Sequence, residues 1–364
     1  MLQITVCYLY FVELTRVIFS KRREMGYLSK RKFEEREHFL ITGLLFLIPV
    51  LTLLSTLGRS LNWRLDYAGE FKMQAAGLSF LLFFWCLFKQ RWGKMFVFLL
   101  CALLNLILMA SHSHLTQKKS DLPEDSHIFT VLYQNMKDSE NSLDRIQYMM
   151  ESIQTDLVMW TNVPIEVYRH LEDVIGSYSL QNQTLDTTGK MKLVFSRTPS
   201  VDRGETLGED SLWVSRVVET RKLTFLLTFF DNPWNEKNYD KAKQEVFELS
   251  NFVRSRDEPV VLIGNLGASA WSWLLNDLEA YAGLKPQGKL LVSGMDMPFY
   301  SRRPTDHIYT HPGIETADIK AKDWLKTGHN AISAVFKIAP LRKKIEFLQL
   351  SPILDEQELL QPPT

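Results

Sequence analysis

Three apolar stretches in the first third of the chain limit its possible folds more than any other feature. They cover residues 39–57, 75–88 and 95–110. A membrane-spanning helix needs about 20 apolar residues, and the second and third stretches reach this length only together with their flanks. The alternative is that they are buried core helices of a soluble protein. Their close succession, with short charged or aromatic loops between them, favours three transmembrane helices across residues 39–110.

The positions of Lys and Arg predict how these helices are oriented. The segment 1–38 is basic just before the first apolar stretch, so we expect it in the cytoplasm. The loop 59–72 would then lie outside, with Trp63 and Tyr67 at the membrane interface. The next loop is basic and would lie inside. Everything after the third helix would be extracytoplasmic.

The two ends of the chain are interpreted separately. Residues 1–20 are apolar but are interrupted by Glu13 and Arg16, so they are a fourth span, an interfacial helix, or sequence upstream of a native start at Met25. We favour the last two alternatives. A secretory signal peptide is not expected, because no small-residue cleavage site follows. Residues 111–126 predict a linker, residues 127–340 a folded domain, and residues 341–364 a peripheral tail.

Overall composition says little about partners. Lys plus Arg and Asp plus Glu both number 42, so the net charge gives no indication of a nucleic-acid partner. The three cysteines, Cys7, Cys86 and Cys101, lie in the apolar first third. Neither a disulfide framework nor a cysteine metal site is therefore predicted.

The folded domain opens with an alternation of strand and helix. Residues 128–134 predict a strand that ends at Asn135, and residues 143–153 carry apolar side chains at helical spacing. Residues 156–160 predict the next strand. Strands that alternate with helices in this way indicate an α/β layer fold.

A central apolar segment carries the most informative motif. Residues 258–263 predict a buried strand that ends at Gly264, and a helix follows with Ser269 or Ser272 as its N-cap. The corner reads Gly-Asn-Leu-Gly-Ala at 264–268 and then Ser-Ala-Trp-Ser. It resembles the Gly-Asp-Phe-Asn-Ala and Pro-Trp-Ser-like segments of the endonuclease/exonuclease/phosphatase superfamily. With three preceding spans, the chain resembles a bacterial membrane-anchored branch of that superfamily.

The resemblance implies a fold, a location and a set of site residues. The fold would be a two-sheet α/β sandwich flanked by helices, on the outer side of a bacterial inner membrane. Three residues of the superfamily pattern are kept, namely Asn135 at the end of the first strand, Asp306, and His329 near the end of the domain.

Several other positions of the pattern are changed. Asn162 stands where the superfamily has a metal-binding Glu, and Asn265 stands where it has the corner Asp. Gly267 and Gly328 replace the corner Asn and the final Asp. The middle His is absent from segment 229–233, where Asp231 is the candidate replacement.

Active members of the superfamily are Mg²⁺-dependent phosphoesterases, and the changed positions argue against that chemistry here. Carboxylates hold such a hard cation, and a neutral amide supplies an oxygen without the charge. A positioned general acid or base contributes about 10²–10⁴-fold to a rate. We therefore expect an inactive site and a binding or scaffold role, with no cofactor. The expected partners are the lipid bilayer and an unidentified protein or phosphorylated ligand; a nucleic acid is not expected.

Two other functions stay open at this point. A metal-dependent phosphodiesterase or phosphatase with a rebuilt site would use Asp231, Asp306 and His329 with Mg²⁺ or Mn²⁺. Alternatively, the membrane helices carry the function and the domain senses a ligand. Purely structural roles also remain open for these residues. Asp306 and His329 could form a structural hydrogen bond, and Asn135 could cap the end of a strand. His307, Tyr309 and His311, which alternate along a strand, could occupy core or surface positions.

Overall fold

The structure is a computed structural model that describes residues 27–57, 63–113, 126–136, 143–152, 154–185, 189–206, 211–287, 304–322, 325 and 329–338. Residues 1–20, for which three alternatives were open, belong to the segment 1–26, which lies outside the described residues. The tail predicted at 341–364 also lies outside them. Most of the predicted linker, at 114–125, also lies outside them.

The N-terminal region is helical. Its helices are α1 (Tyr27–Leu57), α2 (Trp63–Gly69), α3 (Lys72–Phe88) and α4 (Trp92–Ser113). In the described part of the chain, α1 and α4 are each long and apolar enough to cross a membrane, with mean hydropathy of 2.0 and 2.2. A third candidate exists if α2 and α3, which meet at a bend of 57°, are counted as one span. The predicted loop 59–72 is thus largely a short helix rather than an open loop.

Polar contacts hold the apolar helices together. The Asn105 side-chain amide donates to the Thr52 hydroxyl at 3.0 Å and to the Cys101 carbonyl at 2.9 Å. At the other end of α1, the Glu37 carboxylate lies 3.7 Å from the Lys89 ammonium and 3.6 Å from the Arg91 guanidinium. Polar groups in apolar surroundings are costly unless they are paired, so these contacts fix how α1 packs on α3 and α4.

The remainder of the described chain forms two mixed sheets and their covering helices. The strands are β1 (His127–Asn135), β2 (Leu157–Val163), β3 (Ser179–Leu185), β4 (Met191–Ser196), β5 (Asp202–Thr206), β6 (Ser211–Val218), β7 (Arg221–Phe229), β8 (Val260–Asn265), β9 (Lys285–Pro286), β10 (Asp306–Thr310), β11 (Ile314–Lys322) and β12 (Ala331–Ile338). The helices are α5 (Leu143–Ser152), α6 (Ile165–Arg169), α7 (Leu171–Ile175), α8 (Glu236–Arg254) and α9 (Trp273–Ala282).

Each sheet has six described strands with a parallel pair near its centre. The first has the order β11-β12-β1-β2-β4-β3 and the second β5-β6-β7-β8-β10-β9. β1 runs parallel to β2, and β7 runs parallel to β8. The predicted strands lie in the middle of these sheets, whereas β3, β5, β9 and β11, which the sequence did not predict, are the four edges. Edge strands expose more polar side chains, so they give a weak apolar signal.

Apolar side chains fill the space between the sheets and on both outer faces. Phe129 of the first sheet stacks on Phe225 of the second, with ring centroids 4.7 Å apart. A second cluster packs α5, α6 and α7 on the first sheet, and a third packs α8 and α9 on the second. The prediction of a two-sheet α/β sandwich flanked by helices is therefore confirmed.

The corner after β8 requires glycine at two positions. A side chain at Gly264 would place its Cβ 1.9 Å from the Thr228 carbonyl oxygen, so β7 and β8 approach too closely for any other residue. Gly267 has a left-handed φ of +66°, and its Cβ would lie 2.6 Å from the Asp231 carbonyl oxygen. Ser272 caps α9 by accepting from the Leu274 amide, as one of the two sequence-predicted candidates.

Candidate functional site

Polar side chains converge where four strands end at one edge of the sandwich. Asn135 ends β1 and pairs with Thr161 of the parallel strand β2. Asn265 ends β8 and pairs with Asp306, the first residue of the antiparallel strand β10. Because the sheets face each other, this edge brings together residues from distant parts of the chain.

Asp306 is the centre of the arrangement in the second sheet. Its carboxylate is fully buried. The Asn265 side-chain amide donates to Asp306 Oδ1 at 2.9 Å and to the Thr305 hydroxyl at 2.9 Å. The side-chain oxygen of Asn265, Oδ1, accepts from the Gly267 backbone amide at 3.0 Å. Both polar atoms of Asn265 are therefore engaged within the corner itself.

Tyr133 connects the two sheets. Its hydroxyl donates to Asp306 Oδ1 at 3.1 Å and lies 3.2 Å from the Thr161 hydroxyl. Burial raises the pKa of the Tyr133 phenol well above its usual value, and the nearby Asp306 charge raises it further. The tyrosine is thus held neutral as a hydrogen-bond donor.

The asparagines of the first sheet bond to each other. The Asn162 side-chain amide donates to Asn135 Oδ1 at 2.9 Å, and both residues are buried. Asn162 has a left-handed φ of 56°, a conformation that asparagine tolerates better than most residues. It lies at an irregularity in the pairing of β2 with β4. The position that would carry a metal-binding Glu is therefore used for a short local contact.

His329 lies at the rim of this network, just before β12. Its Nδ1 is 3.4 Å from Asp306 Oδ2, and its side chain is 12% exposed. The Gln134 side-chain amide donates to the His329 carbonyl at 3.1 Å and to the Asn135 carbonyl at 2.7 Å. The structure therefore brings together Asn135, Asn162, Asn265, Asp306 and His329, all of which the sequence analysis had singled out.

Asp231, His307 of β10 and His311 just after that strand are engaged elsewhere. The Asp231 carboxylate is 59% exposed and pairs with the Lys241 ammonium at 3.5 Å. His307 Nε2 lies 2.8 Å from the Ala268 carbonyl, and His311 Nδ1 accepts from the Val260 amide at 3.0 Å. Burial lowers the pKa of both histidines. Their ring nitrogens thus serve as local structural contacts.

The donor set does not fit a hard divalent cation. Asp306 is the single carboxylate of the network, and its Oδ1 already accepts two hydrogen bonds. The side-chain oxygens of Asn135 and Asn265 are also occupied by donors. Among the described residues no group of three or more His, Cys, Asp and Glu has metal-binding geometry. Mg²⁺ requires several oxygen ligands with enough charge to displace its water.

Comparisons with known proteins give matches at the level of solved structures. No protein-family model matches the sequence, and no curated protein matches it. D. rerio TDP2 complexed with a single-strand DNA product is 13% identical, with 57% of this chain and 98% of that chain covered and a TM-score of 0.48. An endonuclease/exonuclease/phosphatase family protein from Bacteroides thetaiotaomicron is 13% identical, with 61% and 99% covered and a TM-score of 0.46. The mannosyl-6-phosphatase of B. thetaiotaomicron VPI-5482 is 13% identical, with 57% and 99% covered and a TM-score of 0.44.

The chain is similar in fold to endonuclease/exonuclease/phosphatase family proteins. At these identities the similarity concerns the fold alone. The function of the site has to be argued from its own side chains.

Two sets of interacting residues were missed by the sequence analysis. Tyr133 could have been found, because alternate residues of a strand share a face and Tyr133 stands two positions before Asn135. The second set is Asp66 of α2 and Glu70 directly after that helix, which bond to residues of the folded domain. Two carboxylates four positions apart in the sequence would share one face if the helix continued, so this spacing could have indicated a common contact surface.

Proposed function

We propose that this chain is a membrane-anchored, extracytoplasmic protein with a phosphoesterase-like fold, whose site is catalytically inactive and which acts as a binding or scaffold module. The observation that carries the proposal is the set of hydrogen bonds among polar side chains at the sheet edge. Four side chains at superfamily metal or catalytic positions are buried and bond in pairs, Asn162 to Asn135 and Asn265 to Asp306, rather than presenting charge to a ligand.

The chemistry of this network explains why turnover is not expected. A phosphoester hydrolase of this kind needs a cation to offset phosphate charge and a base to activate the nucleophile. Asn162 and Asn265 supply no charge, and their amide groups are turned inward to Asn135 and Asp306. His329 Nδ1 lies 3.4 Å from Asp306 Oδ2. The side chains of this network therefore stabilise the edge of the sheet rather than activate a substrate.

Contacts between α2 and the folded domain support the membrane topology. The Asp66 carboxylate accepts from the Tyr239 hydroxyl at 2.9 Å, so α2 and the domain lie on the same side of the bilayer. The chain between them must then cross an even number of times. Since α4 is long and apolar enough to cross once, we infer that the second crossing is made by α3, an apolar helix of 17 residues. With α1 this makes three crossings, and the Lys and Arg before α1 favour a domain outside a bacterial inner membrane.

The role that remains for such a domain is to hold a partner at the membrane surface. The phosphoesterase-like sandwich is retained as a frame while its site has lost the charges needed for turnover. The partner class is an unidentified protein or a phosphorylated ligand that is bound without being cleaved. The bilayer is the second partner, through α1, α3 and α4.

A hydrolysis assay tests the proposal. The purified full-length protein in detergent is incubated with chromogenic phosphate monoesters and diesters in Mg²⁺ or Mn²⁺. We expect the rate to equal that of a His329→Ala variant and of a buffer blank. Metal-dependent hydrolysis that His329→Ala abolishes would overturn the inactive-site proposal and favour the rebuilt phosphoesterase.

A further inference from the structure

The short helix α2 and the turn after it contact the folded domain at the corner that follows β8. Glu70 directly follows α2 in the turn before α3, and it is 1% exposed. Its Oε2 accepts from the Ser269 backbone amide at 2.7 Å and also from the Ser269 hydroxyl. The Trp271 indole donates to the Glu70 carbonyl at 3.3 Å.

Asp66 makes a second set of contacts one helical turn earlier. Its Oδ1 accepts from the Trp273 backbone amide, at the first residue of α9, at 3.2 Å. Its Oδ2 accepts from the Tyr239 hydroxyl of α8 at 2.9 Å. The N-terminus of a helix carries unpaired amides and a partial positive charge, so a carboxylate binds there favourably. Asp66 therefore joins α2 to two helices of the domain.

These contacts are not incidental surface pairs. Asp66 is 3% exposed and Ser269 is fully buried. Lys72, at the start of α3, is also buried and feels the charges of both carboxylates. Buried charges are retained when they are paired and hydrogen-bonded, because an unpaired one would cost several kcal/mol. In this contact the folded domain supplies neutral donors, from Tyr239, Ser269 and Trp273, to two buried acidic side chains.

We propose that Asp66 and Glu70 form a clasp by which the membrane helices hold the folded domain, and that the clasp positions the corner that carries Asn265. The corner runs from Asn265 to Trp273 and is fixed at its far end by the clasp. At its near end, Asn265 is fixed by Asp306. Ser269 is four positions after Asn265, so their Cα atoms lie at most about 14 Å apart. The site network therefore sits next to the bilayer-facing side of the domain, whether or not it turns over a phosphoester.

Cleavage of the linker tests the clasp in the full-length protein. A protease site is inserted within residues 114–125, and the protein is reconstituted in vesicles and cut. We expect the cut domain to sediment with the vesicles. The variant Asp66→Ala/Glu70→Ala is expected to release it into the supernatant. The matched control Glu172→Ala/Asp173→Ala removes two acidic side chains on α7 and should leave the domain bound.

Both possible failures are informative. Release of the wild-type domain on cleavage, or retention of the Asp66→Ala/Glu70→Ala domain, would overturn the clasp. If the double variant fails to fold, Tyr239→Phe and Ser269→Ala remove single donors from the domain side and should each increase release. Unchanged retention in both would contradict the proposal.

Hydrogen exchange tests the positioning of the corner separately. In Glu70→Ala, the Ser269 amide loses its carboxylate acceptor, and its exchange should become about ten- to hundredfold faster. The Gly267 amide, which donates to Asn265 Oδ1, should also exchange faster. Amides of β4 serve as the internal control and should not change. Unchanged exchange at Gly267 would refute the positioning role while leaving the docking role to the cleavage test.

Discussion

Replacement of Asp306 distinguishes a structural network from a working site. Asp306→Ala removes a fully buried carboxylate that accepts from the Tyr133 hydroxyl and the Asn265 amide. Residues kept for function are often neutral or costly for stability, whereas residues that satisfy buried polar partners stabilise the fold. The inactive-site proposal therefore predicts a large loss of stability.

The magnitude follows from the contacts. A hydrogen bond to a charged group contributes about 1.5–3 kcal/mol, so the two bonds to Oδ1 together give about 3–6 kcal/mol. The His329 contact is long, at 3.4 Å, and adds little. Asp306→Asn keeps an acceptor oxygen and the side-chain volume but loses the charge. We expect it to cost about 1–2 kcal/mol.

Urea denaturation of the full-length protein in detergent measures this difference. Near-ultraviolet circular dichroism follows the aromatic core of the folded domain. With a slope of about 2 kcal/mol per molar urea, Asp306→Ala should lower the midpoint by about 1.5–3 M. Asp173→Ala, on a side chain that is 78% exposed, is the control and should change stability by less than about 0.5 kcal/mol. An unchanged or raised midpoint for Asp306→Ala would refute the structural interpretation.

Three further predictions concern other parts of the domain. Calorimetric titration with Mn²⁺ should show no binding to the wild type at millimolar metal. Asn162→Asp should gain weak binding, because it adds a carboxylate at a backbone position that Asp tolerates. Binding of Mn²⁺ by the wild type would contradict the proposal of an inactive site. Gly264→Ala should destabilise the domain by about 2–4 kcal/mol in thermal unfolding, because the new Cβ would lie 1.9 Å from the Thr228 carbonyl oxygen. A loss of stability below about 1 kcal/mol would be inconsistent with such close packing of β7 on β8. Burial raises the pKa of Glu279 from 4.5 to about 7. The contribution of Glu279 to the free energy of unfolding is then full below pH 4.5 and is lost as the pH rises through about 7. Glu279→Gln should therefore raise the free energy of unfolding by about 1–3 kcal/mol at pH 8, after allowance for partial exposure of the side chain, and by little at pH 4. A pH-independent effect of Glu279→Gln would show that the carboxyl is not held neutral.

The central elements of the fold could be predicted because their sequence signals are local. The apolar run before Gly264 indicated β8, and the apolar spacing of residues 143–153 indicated α5. Motif order also pointed to Asn135, Asp306 and His329 as neighbours. Edge strands were missed because their side chains are half polar, so no clear alternation marks them. Three spans were predicted, whereas two of the described helices are long and apolar enough to span a membrane by themselves, because α3 is shorter than α1 and α4.

The sequence by itself determined that the chain joins apolar helices to an α/β sandwich and that the site lacks most of its expected charge. Tertiary structure alone decided how the remaining polar groups are used. Tyr133 meets Asp306 across 173 residues, and Glu70 meets Ser269 across 199. Periodicity reports which face of an element is buried, but it does not say which distant group lies against that face. Those pairings follow from the packing of the two sheets and the N-terminal helices, which no local pattern encodes.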